Sequence, residues 1–151
     1  MKNRVRKQMN QKGFTLIEVM VVIVIIALMG AIVGPTVFGK VQQAEEIRIA
    51  QDIRAIEGAL KMYRLDNFDY PGASEGLDAL MTAPSTARNW RGPYLESVPE
   101  DPWGEAYRYA YPGTNGKEVE VFTYGRDNQS GGEGSDADWG SWNIDLSLIH
   151  I

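Results

Sequence analysis

Hydrophobic positions follow three different rhythms along the 151 residues. From Val19 to Gly39 the chain runs without a charge, rich in Val, Ile, Ala, Leu and Met. At about 1.5 Å per residue this run is roughly 31 Å long, enough to cross a hydrocarbon core of about 30 Å. A single segment in lipid satisfies its own backbone only as a helix, so a membrane-spanning helix is predicted. The rhythm then changes. Ile49, Ile53, Ile56, Leu60 and Tyr63 form one apolar stripe, while Glu45, Glu46, Arg48, Asp52, Arg54, Glu57 and Lys61 fill the other faces. That is the pattern of an amphipathic helix, and it continues the first. One helix is expected from about Thr15 to Leu65, its second half burying the stripe against a small domain.

The segment from Asp66 to Gly72, with Asn67, Pro71 and Gly72, stops the helix. A short helix is expected at Leu77 to Thr82. Pro84 to Pro99 reads as irregular, with Trp90, Tyr94 and Leu95 as anchors. A turn follows at Asp101 to Gly104. Tyr107 to Tyr111 and Val119 to Tyr124 alternate as strands do, joined by a hairpin loop from Pro112 to Gly116. About 110 residues beyond the span are enough for one core. The fold class is α+β: one long helix packed on a small antiparallel sheet. The organisation expected is a leader at 1–13, a span at 14–39 and a single outer domain at 40–151.

Charge adds direction. Lys2, Arg4, Arg6, Lys7 and Lys12 precede the span, and this predicts a cytoplasmic N-terminus. Losing residues 1–13 removes five bases and no acid, so the formal charge of −5 falls to −10. The exported part is acidic and a poor binder of phosphate backbones, so no nucleic-acid partner is expected.

Gly13 and Phe14 stand just before the span, and Glu18 lies at its mouth. A secretory signal is cut after its apolar stretch. Here the natural cut lies before it, between Gly13 and Phe14. The junction, Glu18, the apolar run and Pro35 resemble the class III signal of type IV pilins and their relatives. The resemblance implies a prepilin peptidase that cuts after Gly13 and methylates the nitrogen of Phe14. A carboxylate at the centre of a span costs about 2.5–3.5 kcal/mol on insertion scales, so one at the mouth of hydrocarbon gains from a partner. The new ammonium on Phe14 of a neighbouring subunit would neutralise Glu18 and set the stagger between helices. Gly34 and Pro35 are expected to kink or locally melt the span, since proline removes a helical hydrogen bond and clashes with the preceding turn.

Downstream motifs narrow the resemblance. The runs from Tyr63 to Pro71, Glu75-Gly76-Leu77, Gly92-Pro93-Tyr94-Leu95, and above all Val98 to Gly104 are similar to the major pseudopilins of type II secretion, over about residues 12–143. The resemblance implies a pilin-like subunit of the bacterial inner membrane, anchored once, with its C-terminal domain in the periplasm. It implies self-polymerisation into a pseudopilus that helps drive folded proteins across the outer membrane. Membrane lipid before assembly, minor pseudopilins and an inner-membrane assembly platform are the implied partners.

Tyr124 to Trp142 is rich in Asp, Glu, Ser and Gly. Oxygen donors of this kind suit calcium. With no cysteine in the chain and His150 distant, a zinc site is not expected. Asp127, Gly132 and Asp138 fall at positions 1, 6 and 12 of an EF-hand-like loop, but Gln129 and Gly131 do not fit it. The family resemblance implies a calcium site here: Asp127 and Asp138 as side-chain ligands, backbone oxygens from Tyr124 and Ser135, and Asp136 as a further candidate. Cation binding would replace the disulfide that closes this region in many pilins.

Two other classes compete. An adhesive, motility or DNA-uptake pilin is disfavoured by the acidity, the missing cysteines and the calcium-like loop. A membrane-anchored enzyme with paired carboxylates is disfavoured because no His, Cys or Ser constellation supports catalysis, so no catalytic residue is assigned. The apolar tail from Asp145 to Ile151 departs from the family pattern.

Overall fold

The structure, a computed structural model, describes residues 13–147. The leader at 1–12 and the end of the apolar tail, 148–151, lie outside the described residues. Among those described, the order is helix α1 (Leu16–Asn67), a 3-10 helix (Gly76–Leu80), strands β1 (Arg108–Ala110) and β2 (Glu120–Thr123), a second 3-10 helix (Gly134–Asp136), strand β3 (Trp139–Gly140) and a short helix α2 (Ile144–Ser147). The chain divides into two compact units between Gly39 and Lys40.

The first unit is helical from Leu16 onward and apolar on every face. Its side chains stay uncovered: Ile17, Ile23, Ile26, Leu28 and Ile32 are all exposed. By length and composition α1 is able to cross a membrane. Helix α1 runs uninterrupted through Pro35, so the local melting expected at Gly34-Pro35 does not occur. A proline costs about 3 kcal/mol in a helix interior, but the turns on both sides keep their hydrogen bonds and hold the register.

The second unit carries the core. The predicted stripe is buried as a set: Ile49, Ile53, Ile56 and Leu60 at 0% exposure and Tyr63 at 3%. Against it pack Leu77, Leu80, Tyr107, Val121 and Ile144. Each large aliphatic side chain so buried is worth about 1.5–3 kcal/mol. Helix α1 ends two residues later than expected. Asn67 donates Nδ2–H to the Tyr63 carbonyl (3.0 Å), and the Phe68 amide closes the last turn on Arg64 (2.7 Å). The left-handed residue of this cap is Phe68 (φ 65°), not Asn67 or Asp66 as turn preferences suggest.

The sheet is antiparallel with order β1-β2-β3. Tyr109 faces Val121 in one ladder, and Thr123 faces Trp139 in the other. The predicted strand pair is therefore present, trimmed at its ends, and the predicted short helix is a 3-10 helix. Strand β3, two residues long, carries no alternating pattern that would mark it in the sequence. The turn at Asp101 is fixed by a buried carboxylate. Its Oδ1 accepts the Trp103 and Glu105 amides (3.0 and 2.9 Å), and its Oδ2 accepts the Thr123 hydroxyl (2.6 Å). The irregular stretch is tied down by aromatic groups: Trp90 donates Nε1–H to the Ala79 carbonyl (2.9 Å), and Tyr94 donates its hydroxyl to Asp66 (2.8 Å). The tail begins as α2, with Ile144 in the core and Asp145 on Arg54 (2.8 Å).

Candidate functional site

At the N-terminal junction the helix starts where the pattern changes from polar to apolar. Thr15 precedes the first helical residue and Glu18 is the third residue in. The Glu18 amide donates to Thr15 Oγ1, and the Thr15 amide donates to Glu18 Oε2, both at 3.3 Å. This reciprocal pair is a capping box, which satisfies two backbone donors that a helix start otherwise leaves open. The residue read as a partner for an ammonium therefore has a local role that was legible in the Thr-x-x-Glu spacing. Glu18 also places negative charge at the positive end of the helix dipole. Gly13 and Phe14 are exposed beside it, Phe14 at 84%. Pro35 lies in the continuous helix, among exposed residues such as Val33 and Val37.

The acidic loop is built between β2 and β3. Tyr124 leaves β2, and Gly125 turns the chain with φ 73°. The loop then doubles back so closely that carbonyls crowd the glycines. A Cβ on Gly125 would stand 2.9 Å from the Ser135 carbonyl oxygen and 2.8 Å from that of Ala137. One on Gly132 (φ 90°) would stand 2.3 Å from the Asp136 carbonyl oxygen. The Arg126 amide donates to the Ser135 carbonyl (2.9 Å) and closes the loop.

The expected ligands fall into two groups. Asp127 and Asp138 act on the loop's own backbone: Asp127 Oδ1 accepts the Gln129 amide (3.1 Å), and both oxygens of Asp138 accept the Gly131 amide (3.0 Å each). Asp136 instead meets Arg126 in a two-pronged pair, Nε to Oδ1 at 2.9 Å and Nη2 to Oδ2 at 3.0 Å. Among the described residues no three His, Cys, Asp or Glu side chains gather closely enough to hold a metal by themselves. A cation in this loop thus needs backbone oxygens as well as carboxylates. The donor set fits that requirement, being all oxygen, with the Ser135, Asp136 and Ala137 carbonyls crossing Gly125 and Gly132 closely. The Arg126 pair is partly exposed and worth about 0–1 kcal/mol, little enough for a divalent cation to displace.

Two features of this region were not read from the sequence. Ser135 donates its hydroxyl to Glu45 Oε2 of α1 at 2.6 Å. Asn143 holds the far end of the loop, accepting the Gly140 amide (2.8 Å) and donating to the Asp138 carbonyl (3.0 Å). The first joins α1 to the second 3-10 helix across 90 residues, and spacing alone gives no sign of it. Just before β1, burial and then the neighbouring Asp52 carboxylate push the Tyr107 phenol well above the usual tyrosine value; its hydroxyl donates to Asp52 at 3.1 Å. The Arg54 hydrogen bond holds Asp145 below the usual carboxylate value.

Two family profiles cover most of the chain: "Prokaryotic N-terminal methylation motif" at residues 8–34 and "Type II secretion system (T2SS), protein G" at residues 36–142. The type II secretion system core protein G of Vibrio cholerae is 47% identical over 142 residues, covering 92% of this chain and 97% of that protein. The protein of the same name from Pseudomonas aeruginosa is 44% identical over 137 residues, covering 88% and 96%. The crystal structure of the major pseudopilin from the type 2 secretion system of enterohaemorrhagic Escherichia coli superposes with a TM-score of 0.62 at 35% identity, covering 70% of this chain and 92% of that one. The apolar helix α1 accordingly reads as a membrane anchor. The chain belongs to the type II secretion system protein G family, a family of structural pseudopilins rather than enzymes.

Proposed function

We propose that the chain is the major subunit of a type II secretion pseudopilus and that its polymerisation in the periplasm drives folded proteins across the outer membrane. The observation that carries this reading is the union, on one chain, of the methylation motif and the protein G profile. Before assembly the protein sits in the inner membrane with a cytoplasmic N-terminus, held by lipid around residues 14–39. A prepilin peptidase removes residues 1–13 and methylates Phe14. The domain at 40–151 stays in the periplasm, and the partners are further copies, minor pseudopilins and the assembly platform. A strain lacking the gene should stop secreting its type II substrates and regain secretion on complementation. Intact secretion in that strain, with twitching or surface pili lost instead, would favour an adhesive or motility pilin.

Assembly rests on Glu18. Its Oε2 lies in the capping box, and its Oε1 lies outside that box. The ammonium of Phe14 on an adjacent subunit is the proposed partner, formed once the leader is cut. Glu18→Leu should leave membrane insertion intact and abolish fibres. Normal fibres from that variant would end the pairing idea. Pro35 stays helical in the single chain, so any unwinding there belongs to the packed filament.

Calcium is the proposed resident cation of the Tyr124–Asp138 loop. Asp127 and Asp138 would hold it with their carboxylates, and Tyr124 and Ser135 with backbone oxygens. Asp136 joins them once its pair with Arg126 opens. Bound, the ion would supply attraction to a loop that has almost no apolar side chain to hold it. Melting of the full chain in detergent, with calcium and with EDTA, checks this. A midpoint indifferent to both would remove calcium from the account.

A further inference from the structure

The middle of the acidic loop has few attachments to the rest of the molecule. From Gln129 to Asp136, nearly every hydrogen bond among the described residues returns to the loop itself: Gln129 to Asp127, Ser130 and Gly131 to Asp138, Asp136 to Arg126. The exception is Ser135, whose hydroxyl donates to Glu45 Oε2 at 2.6 Å across 90 residues of sequence. Glu45 lies one turn into the second unit on α1, on the same face as Gln42. A Cβ on Gly134 would stand 3.5 Å from Gln42 Oε1, so this face carries the Gly134–Asp136 turn. Gln42 is itself held by Glu46, donating Nε2–H to Oε1 at 3.0 Å. The turn resting on this face holds the Ser135 carbonyl, which accepts the Arg126 amide (2.9 Å).

We propose that Glu45 is the positioning residue of the cation loop: by accepting the Ser135 hydroxyl it fixes the carbonyl-bearing turn on helix α1, so that calcium affinity and the order of the helix around residues 42–46 support one another. This rests on the calcium reading above. Glu45 acts through Ser135 and is not a ligand, since it gathers with no group of metal-holding side chains among the described residues. Coupling of this kind is reciprocal: whatever the tether adds to calcium affinity, calcium adds to the tether. It gives the filament-forming helix a direct sense of whether the loop is loaded.

The test uses the full chain in detergent micelles and calcium as the probe, with affinity read by calorimetry for the parent, E45A, E45Q, S135A and the E45A/S135A double variant. E45A and S135A should each weaken calcium about tenfold, equal to about 1.4 kcal/mol. The double variant should lose no more than either alone, because both remove one hydrogen bond. E45Q keeps an acceptor for the hydroxyl and should stay within about threefold of the parent. Hydrogen exchange at amides 42–50 should slow on calcium addition in the parent and not in E45A. Calcium binding by E45A within twofold of the parent would overturn the proposal, even if E45A melts earlier. So would multiplicative losses in the double variant, or an E45Q as weak as E45A, which would assign the effect to charge alone. A parent that binds no calcium would end the calcium reading and this proposal together.

Discussion

Gly131 and Gly132 form a matched pair that isolates one structural claim, the close crossing of the acidic loop over itself. Both have backbone angles that L-residues avoid, φ 100° and 90°. Replacing either with alanine carries a conformational cost of about 1–3 kcal/mol. Only one of them has a neighbour in the way. A Cβ on Gly131 meets nothing within 4 Å, whereas one on Gly132 meets the Asp136 carbonyl oxygen at 2.3 Å. An ordinary contact would be longer by roughly 1 Å, and the obstacle is backbone, so the turn at Gly134–Asp136 must shift. Forcing extra atoms into a packed site costs about 1–3 kcal/mol more. At about 4 °C per kcal/mol for a domain of this size, Gly132→Ala should melt about 4–12 °C below Gly131→Ala. The assay is near-ultraviolet circular dichroism of the full chain in detergent, where Trp139 and Trp142 report on the loop's base. The gap should be largest with calcium present and should shrink in EDTA. Equal midpoints for the two variants would refute the crossing geometry.

Three further outcomes are expected. Ile53→Ala, at a position with no exposed surface, should cost about 2–5 kcal/mol, read as a shift in the denaturation midpoint without a change in slope. Tyr107 binds its proton more tightly when folded, so the stability it provides is complete below pH 10.0 and is lost as pH rises above that value. Tyr107→Phe should therefore flatten the alkaline limb of a stability–pH curve, and at neutral pH it should cost about 1 kcal/mol for the lost bond to Asp52. Asp145 has the opposite sign: its depressed value gives stability above pH 3.8 that is lost as pH falls through the folded value. In Arg54→Ala the Asp145 carboxyl should titrate higher than in the parent by NMR, and the acid limb should become shallower.

The helix was legible because its signal is long. Twenty-one uncharged residues and a five-member stripe leave little room for another reading, and all five stripe residues are buried. Tyr107–Tyr111 and Val119–Tyr124 were legible as strands because alternation and a Pro-Gly loop coincide. Strand β3 was not, since Trp139 and Gly140 are too few to show a period and meet β2 only across the intervening loop. Phe68 shows a different limit. Local preference gives the left-handed cap to Asn or Asp, but the chain uses Asn67 to bond back to Tyr63 and leaves the strained position to the next residue. In the acidic loop the residue types were readable and their division of labour was not. Asp127 and Asp138 bind backbone amides while Asp136 meets Arg126, and that split depends on the path set by Gly125 and Gly132. The Glu45–Ser135 bond joins positions 90 residues apart and has no local trace at all.

Arg126 gives the acidic loop a counter-ion of its own. A loop of carboxylates with no internal positive charge would be pushed apart by self-repulsion whenever its external cation left. Here the guanidinium on Asp136 supplies one positive partner from within, so one of the four loop carboxylates is neutralised whether or not an external ion is bound. With calcium as the proposed occupant, loss of the ion would leave Asp136 paired to Arg126 while Asp127, Glu133 and Asp138 face the solvent.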